Sequence, residues 1–148
     1  MHYVDTSVLI AYLTPEEFSE QADQALRTTA YQPLLLSAWT ETELVSALGI
    51  KCRTEQIDEN DADAALAKYQ EIRDRFVHLS VMEQDYHSAA QLLRHWRLGL
   101  RAGDALHLAV ARRHASVILS LDKVLVKAAQ VLGPGAINPS KEQRAQAS

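Results

Sequence analysis

The sequence predicts an α/β domain built on a central, mainly parallel sheet of four or five strands flanked by helices. Three observations carry this. Four short apolar runs, His2-Tyr3-Val4, Leu34-Leu35-Leu36-Ser37, Phe76-Val77-His78-Leu79 and Val117-Ile118-Leu119-Ser120, have strand length and composition. Longer segments that open on helix-capping signals separate them, and strands alternating with helices indicate parallel pairing. Finally, 148 residues with 47% hydrophobic and 23% charged side chains are ordinary for one globular domain, a size that buries roughly 70% of its unfolded surface.

Taken in order, His2-Tyr3-Val4 forms the first strand, and Val8 to Leu13 opens a helix after Asp5-Thr6-Ser7. Thr14-Pro15-Glu16-Glu17 reads as a helix start, with Thr14 as cap, Pro15 in the first position and Glu17 reaching back, running to about Thr28. After the second strand, Thr40-Glu41-Thr42-Glu43 fits a capping box for a helix to about Cys52. Asp58 caps a long helix to about Arg75, ahead of the third strand. Ser80-Val81-Met82-Glu83 is a further capping box, with a helix to Leu98 stopped by Gly99. Gly103-Asp104 opens the next helix, to about His114. Asp122 starts the helix after the fourth strand, ending before Gly133-Pro134-Gly135, and Ala136-Ile137-Asn138 is a short fifth strand. The domain is expected over residues 1–138, and the polar stretch 139–148 is expected to be a mobile tail. There is no internal repeat, low-complexity tract or interdomain linker.

The longest unbroken apolar run, Val8 to Leu13, is six residues, against the roughly 20 that span a bilayer. The start has neither a basic nor an apolar leader region. Cys52 is the single cysteine, which excludes an intrachain disulfide and a thiolate zinc cluster. The expectation is a cytoplasmic protein without membrane contact. Formal net charge is −4, unevenly spread: residues 1–93 sum to −10 and residues 94–148 to +6. In the basic part, Arg94, Arg97 and Arg101 step at three and four residues, as on one side of a helix and its following turn. They are candidates for phosphate contact, with a solvated surface as the alternative.

Ligands bind beyond the carboxyl ends of strands in open parallel sheets. Asp5 follows the first strand, Glu43 lies in the first turn after the second, Asp104 starts the helix that precedes the fourth, and Asp122 lies just past the fourth. Four carboxylates from four segments thus map to one rim, where mutual repulsion is costly without a cation. An all-oxygen donor set suits Mg²⁺ or Mn²⁺ better than zinc. One or two such ions are the cofactor this pattern predicts, supporting phosphodiester hydrolysis. Each acid also has a purely structural reading: Glu43 closes a capping box with Thr40, and Asp5, Asp104 and Asp122 sit at helix starts, where the dipole favours carboxylates.

Four segments carry a family resemblance: Tyr3-Val4-Asp5-Thr6-Ser7-Val8-Leu9-Ile10, Thr42-Glu43-Leu44-Val45-Ser46-Ala47-Leu48, Leu100-Arg101-Ala102-Gly103-Asp104-Ala105-Leu106-His107-Leu108-Ala109 and Ile118-Leu119-Ser120-Leu121-Asp122. In this order the chain resembles PIN-domain ribonucleases, specifically the VapC-type toxins of type II toxin–antitoxin pairs. The resemblance implies a PIN-like fold and a metal-dependent endoribonuclease acting on single-stranded or loop RNA. Its acidic residues fall on Asp5, Glu43, Asp104 and Asp122, with Asp5 and Asp104 as principal ligands and Glu43 and Asp122 direct or through water. It also implies a homodimer and a VapB-like antitoxin whose tail enters the acidic groove.

Thr6 and Ser7 are expected both to hold a metal-bound water or support Asp5 and to satisfy the helix-start N–H groups. Ser120 either orients Asp122 or makes a strand-end hydrogen bond. His107 reads as a packed, hydrogen-bonded side chain, Glu41 as surface, and Trp39, Trp96 and Tyr69 as core or dimer-seam residues rather than base-stacking ones. A haloacid-dehalogenase-type phosphatase also places an Asp after strand one but wants a second Asp where Ser7 stands. A non-catalytic binding module of the same fold is the other alternative. A nicotinamide-binding domain lacks its Gly-x-Gly-x-x-Gly after strand one.

Overall fold

The computed structural model describes residues 1–141. Five strands form one all-parallel sheet: β1 (His2–Val4), β2 (Leu34–Ser37), β3 (Val77–Leu79), β4 (Val117–Leu119) and β5 (Ala136–Ile137), in the order β3-β2-β1-β4-β5. The register pairs Tyr3 with Leu35 on one side and with Ile118 on the other. The chain winds outward from β1 through β2 to β3, then returns to place β4 against the free side of β1. The crevice between β1 and β4 is therefore the switch point at which parallel sheets bind ligands.

Alternation along the strands divides the core in two. Val4, Leu34, Leu36 and Leu119 face helices α1 (Thr6–Leu13), α3 (Ala38–Arg53) and α4 (Glu59–Ile72), packing with Leu9, Leu44, Leu48 and Tyr69. Tyr3, Leu35 and Ile118 face the opposite layer, α5 (Glu83–Leu92), α6 (Ala102–Arg113) and α7 (Lys123–Leu132). Strands covered on both faces must be apolar on both, which is why these runs do not alternate with polar residues. Helix α2 (Ser19–Arg27) packs on α1. Among the described residues, no helix is long and apolar enough to cross a membrane.

The strands lie where the sequence places them, but several helix starts move. The segment from Thr14 does not open a helix: its hydroxyl donates to Ile10 O (2.8 Å) and closes α1. Ser19 Oγ then bridges Glu16 N–H (2.9 Å) and Thr14 O (3.0 Å), so α2 begins at Ser19. The cap of α3 is Ser37, whose N–H donates to Thr40 Oγ1 (3.4 Å), not Thr40 with Glu43. In α5 the Asp85 carboxylate accepts from Met82 N–H (2.8 Å), displacing Ser80 from the cap. That helix also ends at Leu92; a separate 3-10 turn follows at Trp96–Leu98, and Gly99 takes the left-handed conformation (φ 70°) that turns the chain toward α6. Arg94, Arg97 and Arg101 therefore lie on a connecting segment, not along one helix. Asn138 and Pro139 are buried, and residues 139–141 form a helical turn in which Asn138 Oδ1 accepts from Ser140 N–H and Oγ–H. The rest of the expected tail falls on residues 142–148, outside the described residues.

Candidate active site

Asp5 is the first residue past β1 and the cap of α1, and is 4% exposed. Its Oδ2 accepts from Ser7 Oγ–H (2.6 Å) and Ser120 Oγ–H (2.8 Å). Ser7 Oγ in turn accepts from Leu121 N–H (2.9 Å), and Ser120 Oγ from Asp122 N–H (3.0 Å). The two serines thus tie the ends of β1 and β4 together around one carboxylate oxygen. Of the two readings of Ser120, the strand-end hydrogen bond is realised, from Asp122 N–H, while the carboxylate it orients is that of Asp5.

Because Ser37 caps α3, Glu43 is released from capping. Its Oε1 accepts from Thr6 Oγ–H (2.8 Å) and hydrogen-bonds His107 Nε2. Burial alone would raise the Glu43 pKa; the His107 hydrogen bond and charge, with Thr6, outweigh it and hold the group below the usual range. His107 is fully buried on α6, one turn beyond Asp104, and its Nε2 lies 3.5 Å from Asp5 Oδ1. Its Nδ1 meets Tyr3 OH at 2.6 Å, and Tyr3 OH meets Ser37 Oγ at 2.7 Å. Burial would depress His107, but Tyr3, Glu43 and Asp5 push its pKa up to about 10. A buried chain of Ser37, Tyr3, His107 and Glu43 therefore links β2, β1, α6 and α3. Tyr3→Phe keeps the ring and removes the bridging hydroxyl between two fully buried groups. Urea unfolding should show a loss of about 1–3 kcal/mol.

Asp104 stands in the first turn of α6, half-buried. Burial, followed by the charges of Asp122 and Asp5, raises its carboxyl to about 7, with Glu43 adding to the effect and His107 opposing it. Asp122 caps α7: its Oδ1 accepts from Val124 N–H (2.8 Å) and Leu125 N–H (3.2 Å). The capping readings of Asp5 and Asp122 are thus realised, and each carboxylate keeps its second oxygen out of the cap. Among the described residues, no lysine or arginine pairs with Asp5, Glu43, Asp104 or Asp122. Ligand atoms of Asp5, Glu43 and His107 lie within 4.8 Å of one another. Carboxylate oxygens predominate, so the donor set fits a hard divalent cation.

Sequence reasoning missed three contributors. Tyr3 reads as an ordinary strand residue until its hydroxyl is seen on His107. Trp39 packs beside Glu43 with its indole N–H buried, and contributes to holding the Glu43 carboxyl below its usual range. Gly103 approaches so closely that a Cβ there would lie 2.6 Å from Glu43 Oε2 and 3.3 Å from the Trp39 ring. A glycine in the first turn of a helix, where alanine is about 1 kcal/mol better, was the available signal. Since Thr6 and His107 pin the other Glu43 oxygen, Gly103→Ala should displace this carboxylate. Any catalysis that depends on this carboxylate should fall about tenfold to a hundredfold, with little change in melting temperature.

Arg94, Arg97 and Arg101 are exposed and, among the described residues, have no ion-pair partner. Glu41 points away from the site, accepting from Arg73 Nε–H (2.7 Å) and Tyr69 O–H (2.9 Å). Tyr69 is buried, as expected, whereas Trp96 is not in the core: it is 78% exposed.

The PIN domain family model matches residues 2–131. The chain belongs to the PIN domain family. No curated protein matches its sequence. Solved structures of the same fold include FitAcB from Neisseria gonorrhoeae (TM-score 0.73, 21% identity, covering 95% of this chain and 99% of that one). A Mycobacterium tuberculosis VapC20, described as a sarcin-ricin loop cleaving toxin, superposes with TM-score 0.69 at 20% identity, covering 86% of this chain and 95% of its own. A toxin–antitoxin complex from Klebsiella pneumoniae has TM-score 0.66 and 18% identity, covering 94% and 98% respectively. These likenesses place the PIN fold over nearly the whole described chain.

Proposed function

We propose that this PIN domain is a metal-dependent endoribonuclease of the VapC toxin type, hydrolysing phosphodiester bonds of single-stranded or loop RNA. The observation that carries the reading is the carboxylate cluster beside the β1–β4 switch point, in which Asp5 and Glu43 lie together and the charges of Asp122, Asp5 and Glu43 act on Asp104, with no lysine or arginine paired to them among the described residues. Asp5 and Asp104 would be the principal ligands of Mg²⁺ or Mn²⁺, one or two ions per site. Glu43 and Asp122 would complete the shell directly or through water. When bound, such an ion polarises the phosphoryl group and offsets the charge that develops on it. The protein's own part is positional. Ser7 and Ser120 aim Asp5; Thr6 and His107 keep Glu43 ionised and leave its Oε2, beside Gly103, to orient an attacking water. His107, enclosed behind Glu43, acts as a positioning residue.

The test is cleavage of a single-stranded RNA by the purified protein with Mg²⁺, Mn²⁺ or a chelator. Metal-stimulated endonucleolytic products support the reading; turnover of p-nitrophenyl phosphate without RNA cleavage would support the phosphatase alternative, and neither activity a binding module. The toxin role predicts a cognate antitoxin, found by co-purification with the product of the adjacent gene, and a homodimer, found by light scattering. Arg94, Arg97 and Arg101 would contact phosphates beside the acidic site. Replacing all three with glutamine should lower the slope of log affinity against log salt by about 2, at roughly 0.7 per phosphate contact on a single strand. An unchanged slope returns them to the solvated surface.

A further inference from the structure

Between α5 and α6 the chain presents Arg94, His95, Trp96, Arg97 and Arg101, all exposed. Trp96 is 78% exposed, the highest of the large apolar side chains. It does not hang on a loose loop. Leu98 N–H donates to His95 O (3.0 Å), Leu98 and Leu100 pack into the core beneath, and the 3-10 turn rests on α7, the helix capped by Asp122. Five residues separate Leu98 from Asp104. At about 3.5 Å per residue, the Leu98 end of the turn lies within about 21 Å of the Asp104 backbone, a distance a few nucleotides span. Folding thus holds the turn that presents this indole to water, along with arginines that have no ion-pair partner among the described residues, a few residues before Asp104.

We propose that Trp96 is a stacking platform for an unpaired RNA base flanking the scissile phosphodiester, with Arg97 and Arg101 holding the adjoining phosphates. The inference rests on the ribonuclease reading and names how that site gathers its substrate. An acidic pocket repels a polyanion, so affinity must come from groups beside it; an aromatic face binds any base without needing charge. Residues 94–102 contain no other large exposed apolar side chain. A protein-binding seam instead depletes charge at its core and gathers several apolar residues. With only two side-chain torsions on a held backbone, the indole also loses little conformational freedom when a base stacks on it.

The experiment measures binding of a fluorescein-labelled oligouridylate, and of an equally long abasic ribose-phosphate strand, to Asp104→Asn protein with and without Trp96→Ala or Trp96→Phe. Because Trp96 is solvent-exposed, all variants should fold, as circular dichroism will verify. Trp96→Ala should weaken oligouridylate binding about fivefold to a hundredfold, leave the abasic strand unaffected, and be largely rescued by Trp96→Phe. Equal loss on both strands, or no loss on either, overturns the platform. A changed molecular mass in light scattering with RNA affinity intact also overturns it, by assigning Trp96 to a protein seam. If the parental protein neither binds nor cleaves RNA, the ribonuclease reading itself fails; if it does both while Trp96→Ala binds normally, only the platform fails.

Discussion

Asp5→Asn should abolish RNA cleavage while leaving the fold intact. Asn retains a side-chain oxygen that accepts from Ser7 and Ser120, and Asn caps a helix about as well as Asp. The expected shift in melting temperature is accordingly small. What disappears is the negative charge at the centre of the proposed metal site. A metal ion contributes several kcal/mol to the transition state, and each 1.36 kcal/mol is tenfold in rate. Cleavage should therefore fall by about a thousandfold or more in single-turnover assays. Isothermal titration should show weakened Mn²⁺ binding. Parental activity in a folded Asp5→Asn protein would remove Asp5 from the site.

The largest stability effect should come from outside the site, at Asp85→Ala. Asp85 is 1% exposed, and both its oxygens accept from Arg113, Nε–H at 2.7 Å and Nη2–H at 2.8 Å. Arg113 also reaches Ser80 O (2.9 Å), so the pair binds the start of α5 to the end of α6. Removing the acid leaves a partly buried guanidinium without its partner and uncaps α5, at a cost of about 3 kcal/mol in urea unfolding. The pH dependence has a definite sign. Burial would raise the Asp85 pKa, but Arg113 and the Met82 N–H outweigh it and hold it below its ordinary value of 3.8. A carboxyl with a depressed folded-state pKa contributes its full stability above the unfolded pKa and loses it as pH falls through the folded one. The stability gap between parent and Asp85→Asn should thus be constant near neutrality and close below about pH 4. A gap that persisted in acid would mean the ion pair is not its source.

Strand positions were legible because doubly covered strands must be apolar on both faces, and little else in a short run produces Leu34-Leu35-Leu36 or Val117-Ile118-Leu119. Helix starts were less legible because Ser, Thr, Asp and Glu are plentiful and several combinations satisfy the same local rule. Thr40 and Glu43 have capping-box spacing, yet Ser37 sits three residues earlier and uses Thr40 first. The break after Leu92 carried no proline or glycine to mark it; Gly99 ends the following turn instead.

At the candidate site, sequence order alone placed Asp5, Glu43, Asp104 and Asp122 at strand ends and helix starts, because those positions in a parallel sheet share a rim. The parallel α/β architecture and the strand runs likewise follow from local pattern, since burial and chain geometry act within a few residues. Only the tertiary structure could decide that Ser120 serves Asp5, that Glu43 leaves its cap for Thr6 and His107, that Tyr3 closes the buried chain, and that Gly103 must lack a Cβ. Tyr3 and His107 are 104 residues apart in sequence and 2.6 Å apart in the fold. Such partners are chosen by which strands become neighbours and how closely helices approach, and both are set by packing across the whole sheet.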